Sequence, residues 1–170
     1  YKPVNYDGRF HGPVQVRYAL GNSYNIPAVK VLALNTVVEM IKKAREMGIT
    51  TFEDESRYGL SLTLGGGEVK MTDMAVAFGV FANEGTRIDL TGIAKIEDSR
   101  GKVIEEFKPK SGKKVLSSEV SFLISSILSD NSARTAAFGP SSLLAIKGKT
   151  VAVKTGTTDD KRDNWTIGYT

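Results

Sequence analysis

Lys154, Thr155, Gly156 and Thr157 follow directly on Val151-Ala152-Val153, so a stretch that buries valines turns abruptly polar. A cation, hydroxyls and bare backbone are the groups that receive a carboxylate-bearing ligand. The ammonium supplies charge, the hydroxyls supply directed hydrogen bonds, and glycine lets the ligand's backbone lie close. Alternation along a strand puts Lys154 and Gly156 on one side and Thr155 and Thr157 on the other. An edge strand can still present them together around a rim. A strand running out into an exposed polar turn, closed by the acid Asp159, explains KTGT equally well. A second polar cluster is Ser23-Tyr24-Asn25, between two helical stretches. Ser23 and Asn25 can point the same way with Tyr24 turned elsewhere, which places a proton-relaying hydroxyl beside an amide able to grip a peptide carbonyl. Ser and Asn ahead of a proline-started helix are also what capping selects.

The elements that must position these residues are legible from periodicity. Val14–Leu20 is a short amphipathic helix ended by Gly21, and Pro27 sits in the first turn of a second helix through AVKVLAL, where its missing N–H costs nothing. Asn35 is the expected N-cap of TVVEMIKKAREM, with Val37, Ile41 and Ala44 inward and Gly48 as the stop. A further helix covers roughly Met71 to Asn83, with Met74, Ala75, Phe78, Phe81 and Ala82 at helical spacing. TGIAKIED and KVIEEF flank the tight turn Ser99-Arg100-Gly101 as a hairpin. Ser117 or Ser118 caps SSEVSFLISSIL, with Val120, Leu123, Ile124, Ile127 and Leu128 inward. LLAIKGK, TVAVKTG and NWTIGYT complete the chain as short strands or extended pieces. The expected fold class is α+β with mainly antiparallel pairing, in a single domain.

Composition narrows the chemistry. The 170 residues have ordinary apolar (41%) and charged (25%) content and a formal charge of +4, with basic residues scattered among acids. That scatter argues against a nucleic-acid groove. No cysteine is present, which excludes thiolate metal sites, disulfides and a cysteine nucleophile. His11 is the only histidine; in its Gly/Pro-rich loop it is expected to face solvent or cap rather than catalyse. No metal or cofactor is expected. No apolar run approaches the ~20 residues of a membrane span. Leu64-Gly65-Gly66-Gly67-Glu68 lacks the G-K-[ST] of a phosphate loop and is expected to be a tight turn before a helix. Asp163 is expected to stabilise a turn, and Trp165 to line core or cleft.

Taken in order, Ser23-Tyr24-Asn25 and Lys154-Thr155-Gly156 match the second and third marks of the active-site serine acyltransferases that recognise penicillin. The surrounding stretches NYDGRFHGPVQVRYALGNSYNIPAVKV, LGGGEVKMTDMAVAFGVFANEG and VKTGTTDDKRDNWTIGYT resemble the transpeptidase domain of class A, bifunctional penicillin-binding proteins. The resemblance implies the fold that these proteins share with serine β-lactamases, an antiparallel sheet flanked by helices. It implies cross-linking of peptidoglycan stem peptides ending in D-Ala-D-Ala through a serine acyl-enzyme, with β-lactams acylating the same serine. By the same likeness Ser23, Asn25 and Lys154 take catalytic roles, while Tyr24, Thr155, Gly156 and Thr157 line the substrate. It further implies an N-terminal glycosyltransferase domain and an extracytoplasmic location behind a membrane anchor outside these residues. A serine β-lactamase or D,D-carboxypeptidase would share the motifs, and a non-catalytic scaffold could keep the groove.

The nucleophile is the missing part. The family's S-x-x-K opens a helix upstream of the S-x-N loop. Here only Ser99-Arg100-Gly101-Lys102 and Ser111-Gly112-Lys113-Lys114 fit the pattern. The first is a hairpin tip and the second a loop after Pro109; neither stacks serine and lysine one helical turn apart. Residues 1–170 are therefore expected to be a partial domain without that segment and without a last strand and helix, inactive alone.

Overall fold

The computed structural model describes residues 1–108, 111–158 and 161–170. Pro109, ahead of the second S-x-x-K string, and Asp159, after KTGTT, lie outside the described residues. The opening residues form turns, pinned by the buried Asn5, whose Nδ2 donates to Arg9 O (2.8 Å) and whose Oδ1 accepts from Ile26 N–H (3.0 Å). Helix α1 covers Val16–Gly21 and α2 covers Asn25–Asn35, with Pro27 in its first turn as expected. Gly21 is the last helical residue rather than the stop. Ser23 N–H bonds to Leu20 O (3.2 Å) and Tyr24 N–H to Ala19 O (2.9 Å), with Ser23 left-handed at φ 57°. That is a Schellman ending in which serine holds the position glycine usually takes.

The predicted cap of α3 (Val37–Met47) moves by one residue. Asn35 closes α2, and Thr36 at φ 70° both joins the helices and accepts Glu39 N–H on its hydroxyl (3.3 Å). Gly48 ends α3 at φ 116°. Ile41, fully buried, meets Leu32, Ile49, Phe52, Leu62 and Ala77, with Val37 and Ala44 packed at the margin. The 3-10 turns Glu55–Arg57 and Leu60–Leu64 lead through the glycine turn to α4, Met71–Ala82. Its buried face is Asp73, Val76, Ala77 and Val80. Met74, Phe78 and Phe81 are only partly covered and Ala75 and Ala82 are exposed, because Asp73 turns inward to accept Thr50 N–H and Oγ1–H, each at 2.7 Å.

Strands β1 (Thr86–Arg87) and β4 (Lys113–Lys114) pair antiparallel, as do β2 (Lys95–Glu97) and β3 (Val103–Glu106) around the predicted Ser99-Arg100-Gly101 turn. The last pair is β5 (Ala152–Thr157) with β6 (Asn164–Tyr169), Gly156 facing Trp165 and Ala152 facing Tyr169. Among the described residues the strands thus form three separate pairs rather than one sheet. LLAIKGK is turn-rich, not a strand.

Helix α5, Ser118–Ser129, is capped by Ser117, whose hydroxyl accepts Val120 N–H (3.3 Å). Its inner face differs from expectation. Ser121, Ile127 and Leu128 are buried, while Val120 and Leu123 face solvent. The small Ser121 and Ser125 let the helix lie close to β5 and β6, and Ser125 Oγ bonds Tyr169 Oη at 2.8 Å. A 3-10 turn, Ser132–Arg134, and α6, Thr135–Phe138, then carry the chain toward β5.

Candidate active site

Ser23 and Lys154, 131 residues apart in sequence, meet: Lys154 Nζ donates to Ser23 Oγ. The left-handed turn after α1 aims the hydroxyl, and the β5–β6 ladder fixes the lysine opposite Ile167. A second N–H of the ammonium reaches Thr155 O at 2.7 Å. Burial first, and the nearby Arg134 guanidinium second, push the lysine down to about 8. Both causes disfavour its charged form.

The rest of β5 opens outward. Thr155 is half-buried, and Gly156 and Thr157 are exposed. Gly156 is not held by its own surroundings: a Cβ there would meet no atom within 4 Å. The residue is exposed and the space beside it is open. Past the end of β5, Thr158 packs against the glycine turn, its Cγ2 3.0 Å from where a Cβ on Gly65 would stand. Gly65, at φ 95°, ends the 3-10 turn as a tight bend, the role expected of this stretch.

Asn25 opens α2 beside Ser23, and its Nδ2 donates to Val4 O (2.9 Å). Tyr24, next to Ser23 in the chain, stacks on His11 with ring centroids 4.1 Å apart at 12°. His11 is exposed, as its Gly/Pro-rich loop predicts, and its Nε2 also meets Asp7 Oδ2 at 2.9 Å. Both rings border a cavity of about 50 Å³ with Phe10 and Lys30. A larger cavity of about 360 Å³ lies between α5 and the β5–β6 pair, and neither Ser23 nor Lys154 lines it. Lys154 is half-buried in β5, and the strand becomes exposed beyond it at Gly156 and Thr157. At the β5–β6 turn, Asp163 contributes through its backbone, with Thr158 N–H bonding to Asp163 O (3.1 Å) and Asp163 N–H to Thr158 Oγ1 (2.9 Å). Trp165 is half-buried.

Ser99-Arg100-Gly101-Lys102 sits at the β2–β3 turn and Ser111-Gly112-Lys113-Lys114 runs into β4, so neither opens a helix. Two further residues, Asn22 and Arg134, border the site without belonging to any short pattern in the sequence. Only the adjacency of Asn22 to Ser23 offers a hint of it.

Solved structures share this fold. The chain superposes on penicillin-binding protein 1A from Haemophilus influenzae with a TM-score of 0.80 at 26% identity, over 99% of this chain and 30% of that one. It also superposes on PonA1 from Mycobacterium tuberculosis, solved in complex with penicillin V, with a TM-score of 0.79 at 20% identity, over 98% of this chain and 47% of that one; this likeness is one of fold. The fold is that of penicillin-binding-protein transpeptidase domains. Residues 1–170 match the family described as the penicillin binding protein transpeptidase domain, and the chain belongs to it. Penicillin-binding protein 1A of Aquifex aeolicus is 32% identical over 98% of this chain and 22% of its own length. Penicillin-binding protein 1C of Escherichia coli is 32% identical over 99% of this chain and 20% of its own. The chain thus spans about a fifth of the length of these relatives. No helix among the described residues is long and apolar enough to cross a membrane.

Proposed function

We propose that these residues form the substrate-gripping part of a serine D,D-transpeptidase that cross-links peptidoglycan stem peptides and is acylated by β-lactams. The observation that carries this reading is the Ser23–Lys154 contact at the head of an open strand edge. An anionic peptide end is the ligand such an edge suits. Lys154 supplies positive potential, the Thr155 and Thr157 hydroxyls receive the terminal carboxylate, and the open side of Gly156 admits the peptide backbone. Asn25 grips the donor amide and Tyr24 lines the approach. The Thr157 N–H forms half of an oxyanion hole.

In the reaction, a nucleophilic serine attacks the penultimate D-alanine carbonyl, and the bond to the last D-alanine breaks. Ser23, hydrogen-bonded to Lys154, passes a proton to the departing amine. An amine from a neighbouring strand then takes the acyl group and releases the serine. On this reading the attacking serine comes from an S-x-x-K that opens a helix, unlike the two such strings in residues 1–170, one at a hairpin turn and one running into a short strand. The intact protein carries a glycosyltransferase domain and a membrane anchor, and works outside the cytoplasm.

The test is acylation of the full-length protein by a fluorescent penicillin. Lys154→Ala should slow labelling about 10²-fold or more, the scale of losing one electrostatic contact to developing charge, with circular dichroism unchanged. Labelling at the wild-type rate would remove the lysine from the site.

A further inference from the structure

Residues 132–138, between α5 and β5, touch both halves of the Ser23–Lys154 site. On the serine side, Asn22 is 6% exposed and fully engaged. Its Nδ2 donates to Tyr18 O (2.9 Å) and Ala133 O (2.8 Å), and its Oδ1 accepts Ala137 N–H (2.8 Å). Gly21 lies so near that a Cβ on it would stand 2.9 Å from Ala133 O. On the strand side, Arg134 is 3% exposed; Nη1 donates to Val153 O (3.5 Å) and Nη2 to Leu128 O (2.6 Å). Asp130 anchors the start of the segment. Its Oδ1 accepts from Ser132 and Ala133 N–H (2.9 and 3.2 Å), and its Oδ2 pairs with Arg17 of α1 (3.1 Å).

Fold stability does not account for Arg134. It has no ion pair within 4 Å among the described residues, and its buried Nε has no hydrogen-bond partner there. An unpaired buried donor costs about 1–3 kcal/mol, and apolar side chains commonly replace buried ionic groups without loss. The guanidinium also stands near a second cation, Lys154. What it does achieve is a bridge from the carbonyl before Lys154 to the end of α5.

We propose that Arg134 and Asn22 are the positioning residues of this site: residues 132–138 hold the lysine strand through the first and the serine turn through the second, and so set the Ser23–Lys154 contact. The inference rests on the reading of that contact as part of an acylation site. Neither residue touches the substrate. Arg134 acts on Lys154 electrostatically as well; Asp130, from the end of α5, faces Arg134 and is itself paired to Arg17, and no other charge bears on Lys154 among the described residues.

The test follows penicillin acylation of the full-length protein against pH for wild type, Arg134→Met, Arg134→Lys, Asn22→Ala, the double variant and Lys154→Ala. The Lys154 cation is present below its value of about 8 and lost above it, so the wild-type rate should fall through that region. Arg134→Met should lower the neutral-pH rate about 10- to 100-fold, the scale of a small misplacement. It should also move the alkaline fall to higher pH, because the repelling charge is gone. Arg134→Lys keeps the charge but cannot span two carbonyls; its rate should drop with the alkaline fall in place. Asn22→Ala should lower the rate only, and the double variant should lose less than the product of the single losses, since either break frees the segment. A folded Arg134→Met with wild-type rate or an unmoved alkaline fall overturns the proposal, as do independent losses in the double variant. Should Arg134→Met fail to fold, a wild-type rate in Arg134→Lys overturns it. Lys154→Ala labelled like wild type would instead bring down the underlying site reading, and this inference with it.

Discussion

Lys154 shows how a single side chain ties the site to the fold. Its ammonium is drawn inward beside Arg134, so its proton is held less tightly than in an unfolded chain, where the ordinary value is 10.5. Below about 8 the folded state carries a charged lysine at a cost of about 3 kcal/mol, at ~1.4 kcal/mol per unit. That cost is relieved as pH rises from about 8 through 10.5, because the unfolded chain then binds the extra proton. Ser23 adds strain of its own, on the order of 1 kcal/mol for a serine in the left-handed region. Gly156 is the complementary case, a residue whose smallness the protein itself does not use. Gly156→Ala should leave the melting temperature unchanged or slightly raised, since Ala is favoured over Gly within strands by about 0.5–1 kcal/mol. It should nevertheless slow penicillin acylation of the full-length protein, and equal acylation would show that no ligand approaches that face. The meeting of Ser23 with Lys154 was legible in the sequence because short patterns, S-x-N and K-T-G, carry both. Arg134 and Asn22 were not, because the contacts that matter join distant segments, Arg134 to Val153 O and Asn22 to Ala133 O and the Ala137 N–H, which no local pattern encodes.

The helices position the site through polar contacts as much as through apolar ones. Asp73 anchors α4 to Thr50 by two hydrogen bonds, and the Thr50 hydroxyl, ahead of its backbone N–H, holds the carboxyl below its usual 3.8. A depressed carboxyl stabilises the fold above its unfolded value and loses that contribution as pH falls through the folded one. Asp73→Asn should therefore lower stability near neutrality by about 1–3 kcal/mol, with the gap to wild type closing in acid below about 3.8. Denaturant titration at several pH values reads it; a gap that persists unchanged in acid would remove the charge from the explanation. Apolar periodicity located α3, α4 and α5 and placed Ile127 and Leu128 of α5 inward, but not the buried Asp73 of α4 or Ser121 of α5. In α4 a buried aspartate claims a core position, and in α5 serines replace bulk so that the helix can lie against β5 and β6. Hydrophobic patterning cannot see either device, because both place polar residues where apolar ones are assumed.

Across the whole molecule, the described strands form three two-stranded pairs, and large apolar side chains remain uncovered, among them Phe122 (70% exposed), Leu123 (56%) and Leu143 (98%). Isolated pairs are marginal without further cover. The polypeptide of residues 1–170 purified by itself should not be labelled by fluorescent penicillin, while the full-length protein should be. Covalent labelling of the short polypeptide at any of its serines would place a working nucleophile inside it. The α+β class and the antiparallel β2–β3 hairpin were readable in advance; the β5–β6 pairing and the division of the strands into separate pairs were not, since pairing partners are set by tertiary closure. The contact between Ser23 and Lys154 has one more implication. With the two 131 positions apart in the chain, neither partner can find the other until most of the domain has condensed. On the proposed reading, a nascent or partly denatured molecule would possess both signatures and yet escape β-lactam acylation, so labelling would double as a certificate of completed folding.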